Sequence, residues 1–280
     1  MRIDLHTHST VSDGTFTPAE VMLAAGAAGL DVVALTDHDG LGGWPVARAA
    51  AAGAGVDFVP GVELSCRWYQ ADPPIALHML AYYVNPDDPD LTAEMARVRE
   101  ARERRAEKMI ELMNADGVDV TWAEVQRYAA GGTVGRPHLA QALIRRGLAG
   151  TVGEAFAPEM LGRRWRAPKP DTDVFLALRL VLGAGGVAVF AHPRATKRGP
   201  VVPDSLIVEL AGQGLFGVEA DHEDHSEAQR SELRALAADL GLVVTGSSDF
   251  HGTNKTVQLG ANLTDPAVLD RIRAAARPAG

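Results

Sequence analysis

The sequence predicts an α/β barrel of about seven strands interrupted by a helical insertion. Three observations carry this. Short runs of Val, Leu, Ile and Ala alternate with helix-like segments, and residues able to bind divalent metals recur where those runs end. Between residues 91 and 161 the alternation stops and helix follows helix.

The runs near 3–5, 32–35, 58–64 and 76–84 read as strands, and the segments beginning at Pro18 and Trp44 as helices. Thr17 suits the N-cap before Pro18 at the first helical position. The stretch "LTAEMARVREARERRAEKMIELMNADG" reads as a long amphipathic helix stopped near Gly117, with shorter helices from Thr121, Arg136 and Thr151. Turn-rich "VNPDDPD" and "RAPKPDTD" bound the insertion, giving a barrel domain of 1–90 and 166–280 and an inserted domain of 91–165. Alternation resumes with a helix from Asp171, the strand "GVAVFAHP", a helix from Pro203, the strand "FGVEADH", a helix from Ser226 and the strand "LVVTGSSDF".

At 280 residues the chain can bury a sizeable core as one large domain. Its net charge of -9 argues against long duplex nucleic acid, which needs a broad basic surface. A small anion stays compatible, because bound divalent cations reverse the local potential. The single Cys66, after the apolar run "VDFVPGVEL", is expected to be a small buried residue. No charged leader precedes the first strand and no apolar run spans a bilayer, so a cytoplasmic protein without membrane or protein partner is expected.

The candidate chemistry rests on His6, His8, Asp13, His38, Glu63, His78, His192, Asp249 and His251. Two histidines one residue apart, as in His6 and His8, point the same way from an extended segment. Alone, such a triplet is weak evidence; its coincidence with the other clusters makes the case. Glu63 offers two oxygens that can bridge neighbouring cations, which one imidazole cannot do. A His and carboxylate set without thiolates suits Zn, Mn or Fe in an open, hydrolytic site. Clustered cations acidify water and clamp the attacking and leaving oxygens of a phosphate ester, so phosphoester hydrolysis is the expected reaction.

The succession "DLHTHSTVSDG", "LTDHD", "GVELS", "FAHP" and "SDFHG" resembles the polymerase and histidinol phosphatase (PHP) family of metal-dependent phosphoesterases across nearly the whole chain. The resemblance implies a distorted seven-stranded (β/α)7 barrel and two or three divalent cations, Mn2+ first, with Fe2+ or Zn2+ compatible. It places His6, His8, Glu63 and Asp249 around one cation, Glu63, His78 and His192 around a second, and Asp13, His38 and His251 around a third. Glu63, His192 and Asp249 then carry the catalytic roles.

Within the family, "GRPHLA" resembles the branch acting on nucleoside 3′,5′-bisphosphates and, as 5′-to-3′ exoribonucleases, on short 5′-phosphorylated RNA. Arg136 and His138 are then expected phosphate contacts at a helix start, and Arg102 one reaching down from the insertion. The bland alternatives are a surface arginine for Arg136 and, for the Arg and Glu residues around Arg102, a solvated helix face. Two rival functions stand beside this reading: a histidinol-phosphate phosphatase, and a catalytically silent nucleotide-binding module. Asp37 and Asp39 flank His38 either as supports for metal-bound imidazoles or as turn residues. His222 and His225 remain outside the core assignment.

Overall fold

The computed structural model describes residues 1–129, 134–168 and 171–277; Lys169 and Pro170 of the expected boundary "RAPKPDTD" lie outside them. The first half reads β1 (Ile3–Asp4), α1 (Pro18–Ala27), β2 (Val32–Leu35), α2 (Trp44–Ala54), β3 (Asp57–Trp68) and β4 (Ile75–Tyr82). Four helices follow: α3 (Pro89–Ala115), α4 (Trp122–Ala129), α5 (Arg136–Arg145) and α6 (Val152–Ala155). The chain then runs through β5 (Thr172–Asp173), α7 (Val174–Gly183), β6 (Val187–Ala191), α8 (Asp204–Gly212), β7 (Gly217–Asp221), α9 (Glu227–Leu240), β8 (Val243–Gly246) and α10 (Pro266–Ala275).

Seven strands form one path in the order β1-β2-β3-β4-β6-β7-β8, while β5 pairs with β3 off that path. A bridge between Thr7 and Phe250, with the His8 N–H donating to the Phe250 carbonyl at 2.8 Å, nearly closes the two ends into a barrel. The seven-stranded α/β barrel expected from the sequence is therefore present. It departs from strict alternation at one place. β4 runs antiparallel to both β3 and β6, because the chain returns from β3 through a short turn instead of a helix. That return sets His78 between Ser65 of β3 and Ala191 of β6.

Local chemistry explains most element starts. Thr17 and Glu20 form a capping box at α1, as do Ser226 and Gln229 at α9. Asp88 accepts the Leu91 N–H and starts α3. The helix expected from Asp171 begins only at Val174: Thr172 and Asp173 first pair with Cys66 and Arg67, and the Asp173 carboxylate then caps Phe175 and Leu176.

Inside the barrel, Ile3, Leu5, Ala34, Val59, Leu80 and Val189 pack as one buried layer. A separate cluster ties α3 to α4, α5 and α6 through Met109, Met113, Val125, Leu139 and Leu143, joined by Trp165. Cys66 is fully buried, as expected of a small core residue. Among the described residues no helix is long and apolar enough to cross a membrane.

Candidate metal centre

Strand ends deliver most of the candidate ligands, and two lie inside strands. His6 and His8 follow β1, His38 follows β2, Glu63 lies within β3, His78 within β4, His192 directly after β6, and Asp249 and His251 after β8. All but Asp13 and His78 are buried. Three residues here hold left-handed backbone, Asp39 (φ 51°), His192 (φ 33°) and Asp249 (φ 50°), a conformation costly for residues other than glycine and concentrated at functional sites.

Glu63 is the hub. Its Oε2 lies 3.2 Å from His6 Nε2, 3.0 Å from His8 Nε2 and 3.3 Å from His38 Nδ1. Its Oε1 lies 2.8 Å from His78 Nδ1 and 3.1 Å from His192 Nε2. The two oxygens thus face different sets of imidazoles, the arrangement a bridging carboxylate requires. Asp249 divides its oxygens likewise: Oδ1 faces His6, His8 and His251 at 3.3 to 3.4 Å, while Oδ2 takes Lys255 at 2.6 Å, Arg198 at 2.5 Å and His222 at 3.3 Å.

Three groups have ligand atoms close enough to share an ion: His6, His8, Glu63 and Asp249; His8, Asp13, His38 and His251; and His38, Glu63 and His78. The first matches the set expected for one cation. The second brings the expected Asp13, His38 and His251 together and adds His8. The third gathers His38 where His192 was expected, and His192 Nε2 instead sits between Glu63 and the Arg198 guanidinium at 3.1 Å from each.

The donor set fits divalent cations on a further ground. Asp13 Oδ1, His38 Nδ1, His78 Nδ1 and Asp249 Oδ1 are buried without a hydrogen-bond partner, an expensive condition that metal coordination relieves. Burial disfavours charge on Glu63, Asp13 and Asp249, yet the surrounding cationic groups outweigh it and hold all three carboxyls well below the ordinary range. Burial likewise opposes charge on His8, but the Asp249 and Glu63 carboxylates beside it win and push it up to about 9. Burial instead pushes His38, His192 and His251 down, which leaves those imidazoles neutral and free to donate lone pairs to a cation.

The surrounding network assigns roles the sequence left open. Asp37 accepts from Ser9 N–H, Ser9 Oγ and Ser12 Oγ, and Ser12 in turn lies 3.3 Å from His8 Nδ1, so its support of an imidazole is indirect. Asp39 accepts the Ser65 N–H at 2.7 Å and pairs with Arg102 at 2.9 Å. Arg99 donates to the Asp39 carbonyl. Two arginines of α3 thus clamp the loop carrying His38, which ties the insertion to the metal centre.

Beyond the centre lies a cavity of about 700 Å³ between barrel and insertion. Lys197, Arg198 and Lys255 line it near the histidines, and Arg102, Arg105, Arg136 and Arg166 line it too, together with the apolar Met109, Leu139 and Phe156. Arg136 sits 4.9 Å over the Phe156 ring and, like Arg166, has no carboxylate partner among the described residues. Burial and the neighbouring Arg136 push Arg105 down to about 9, which leaves it cationic at neutral pH. Arg105 belongs to the interleaved Arg and Glu run read as a solvated helix face, and Arg166 to the turn-rich boundary stretch; both line the cavity instead. His138 is placed differently from the others: it is buried, does not line the cavity, and its Nδ1 accepts the Gly135 N–H at 2.9 Å, closing the start of α5.

Comparison with known proteins agrees with this geometry. A PHP domain is recognised over residues 4–150. A 3′,5′-nucleoside bisphosphate phosphatase from Chromobacterium violaceum is 32% identical over 89% of this chain and 87% of its own, and a 5′-3′ exoribonuclease from Haemophilus influenzae is 31% identical over 94% of each. The crystal structure of a metal-dependent phosphoesterase from Bifidobacterium adolescentis superposes with a TM-score of 0.91 at 33% identity, covering 98% of this chain and 96% of that one. The chain belongs to the PHP-domain family of metal-dependent phosphoesterases.

Proposed function

We propose that this protein releases the 3′-phosphate from nucleoside 3′,5′-bisphosphates, with removal of 5′ nucleotides from short 5′-phosphorylated RNA as a related activity. The observation that carries this reading is one cavity lined by two groups of basic side chains. Arg198 and Lys255 stand on Asp249 beside the metal ligands, and Arg105 stands with Arg136 and Arg166 as its neighbours, with apolar side chains in the same lining. A mononucleotide with a phosphate at each end matches that layout in charge and in the usual size of small-molecule sites.

Glu63, Asp249 and the other grouped ligands, with His192 3.1 Å from Glu63 Oε1, would hold two or three divalent cations, Mn2+ being our choice and Fe2+ or Zn2+ accepted by the same donors. When bound, such cations acidify water and neutralise charge on the phosphoryl oxygens. Glu63 supplies separate oxygens to two imidazole groups, and Lys255, Arg198 and His222 hold Asp249 Oδ2 so that Oδ1 faces inward. Arg136 anchors the phosphate that is not cleaved, and Arg102 acts near it while braced on Asp39. His138 serves by fixing the start of α5 and thereby the position of Arg136. The helices of 91–165 form a cap that measures substrate length. We place this activity in the cytoplasm.

The test compares phosphate release from adenosine 3′,5′-bisphosphate and from histidinol phosphate by the Mn2+-loaded protein. A clear preference for the bisphosphate is expected, and a preference for histidinol phosphate refutes the reading. Binding of nucleotide without any phosphate release would instead support a silent binding module.

A further inference from the structure

Glu219 lies near the middle of β7, fully buried, in a strand whose wording "GVEAD" gives no hint of chemistry. Its carboxylate touches the ends of three other strands. Oε1 accepts from His6 Nδ1 at 3.0 Å and from the Ser247 hydroxyl, and Oε2 accepts the backbone N–H of His192 at 2.9 Å. Burial raises the cost of its charge, yet His6, with His222 and His192 behind it, outweighs that cost and leaves the carboxyl well below its ordinary range.

We infer that Glu219 is a positioning residue for the metal centre: it fixes the His6 ring with the proton on Nδ1, so that Nε2 faces Glu63 and Asp249, and it holds the backbone at His192. The inference rests on the reading of His6 as a metal ligand. Its geometry follows from donor counting. The Glu219 oxygens already receive the Ser247 hydroxyl and the His192 N–H, so the carboxylate faces His6 as an acceptor; the His6 nitrogen facing it carries hydrogen, and the lone pair is left for Nε2. That Nε2 lies 3.2 Å from Glu63 Oε2 and 3.4 Å from Asp249 Oδ1, within the group able to share an ion. Outer carboxylates of this kind set ring orientation and raise ligand basicity. Holding His192 matters equally, because its left-handed backbone (φ 33°) needs an external restraint.

Glu219→Gln is the informative variant, since it keeps the shape but turns one acceptor into an N–H2 donor that must confront either the His192 N–H or the His6 Nδ1–H. Three measurements are made on wild type, Glu219→Gln and His6→Ala: zinc affinity by chelator competition, melting of the metal-free protein, and, for wild type and Glu219→Gln, 15N shifts of the His6 ring in zinc-loaded protein. The expected results are an Nδ1-protonated His6 in wild type and a zinc affinity lowered by roughly 10- to 100-fold in Glu219→Gln. Metal-free Glu219→Gln should melt below wild type because of the buried donor clash, so zinc affinity is compared on folded protein well below both transitions. Zinc binding as tight in Glu219→Gln as in wild type, or a wild-type His6 protonated on Nε2, overturns the inference. A lowered melting temperature with unchanged zinc affinity also overturns it, showing a purely structural role. If His6→Ala retains wild-type zinc affinity, the ligand reading itself fails; if His6→Ala loses zinc and Glu219→Gln does not, only the positioning role fails. Should Glu219→Gln not fold, the wild-type tautomer still decides.

Discussion

Glu63→Gln is the perturbation with the sharpest expected outcome. The side chain is almost completely buried, and its two oxygens lie within 3.3 Å of five imidazole nitrogens belonging to His6, His8, His38, His78 and His192. Glutamine preserves the volume but removes one negative charge and replaces one acceptor oxygen with a donor. A unit charge 4 Å from another is worth about 4 kcal/mol at an effective dielectric of 20. At about 1.4 kcal/mol per decade, that is roughly a thousandfold in cation affinity, before any loss of geometry. Metal content of the purified variant, a Mn2+ titration, and phosphate release from adenosine 3′,5′-bisphosphate give the readouts. Melting of the metal-free protein controls for folding. We expect substoichiometric metal and activity down by about three orders of magnitude on the same arithmetic. A folded Glu63→Gln protein with full metal content and wild-type turnover would refute the bridging role.

Other predictions concern the cavity arginines and the insertion. Arg136→Ala should raise KM for the bisphosphate roughly 10- to 100-fold, as expected for losing about 1.5–3 kcal/mol of charged hydrogen bonding, with kcat little changed; an unchanged KM removes Arg136 from the substrate site. Arg105 lines the cavity beside Arg136, so Arg105→Met should also raise KM for the bisphosphate roughly 10- to 100-fold with kcat little changed; an unchanged KM contradicts the assignment. Leu139→Ala, at a fully buried position of the insertion cluster, should cost about 2–5 kcal/mol of stability, read as a lower melting temperature or an early protease-sensitive transition; an unchanged melt would show that the cluster is not packed as described.

Much of the barrel was legible because strand ends and ligand clusters coincide in the sequence: "DLHTH", "ALTDHD" and "SSDFHG" each follow a short apolar run. Capping residues such as Thr17 and Ser226 marked helix starts for the same reason, that they act through neighbours three residues away. The direction of β4 was not legible, since an apolar run carries no sign of whether it pairs parallel or antiparallel. β5 was hidden because two residues are too short for any period. α10, with apolar Leu269 and Ile272 on its buried face, is readable in retrospect, its Asp265 cap preceding Pro266.

In the site, sequence wording identified residues able to ligate, but not their partners. Which imidazoles share Glu63 depends on side-chain rotation across five strand ends, and His38 joining His78 and Glu63 is a three-dimensional fact. Glu219 and Asp39 were obscure for another reason. Their work is done through hydrogen bonds to His6 and to Arg102 and Ser65, residues remote from them in sequence.

The most direct test is anomalous diffraction from crystals of the Mn2+-loaded protein. The account predicts at least two manganese peaks sharing Glu63, one oxygen to each, with His6, His8 and Asp249 around one of them. Peaks that avoid Glu63, or a lone ion held elsewhere on the surface, would contradict it.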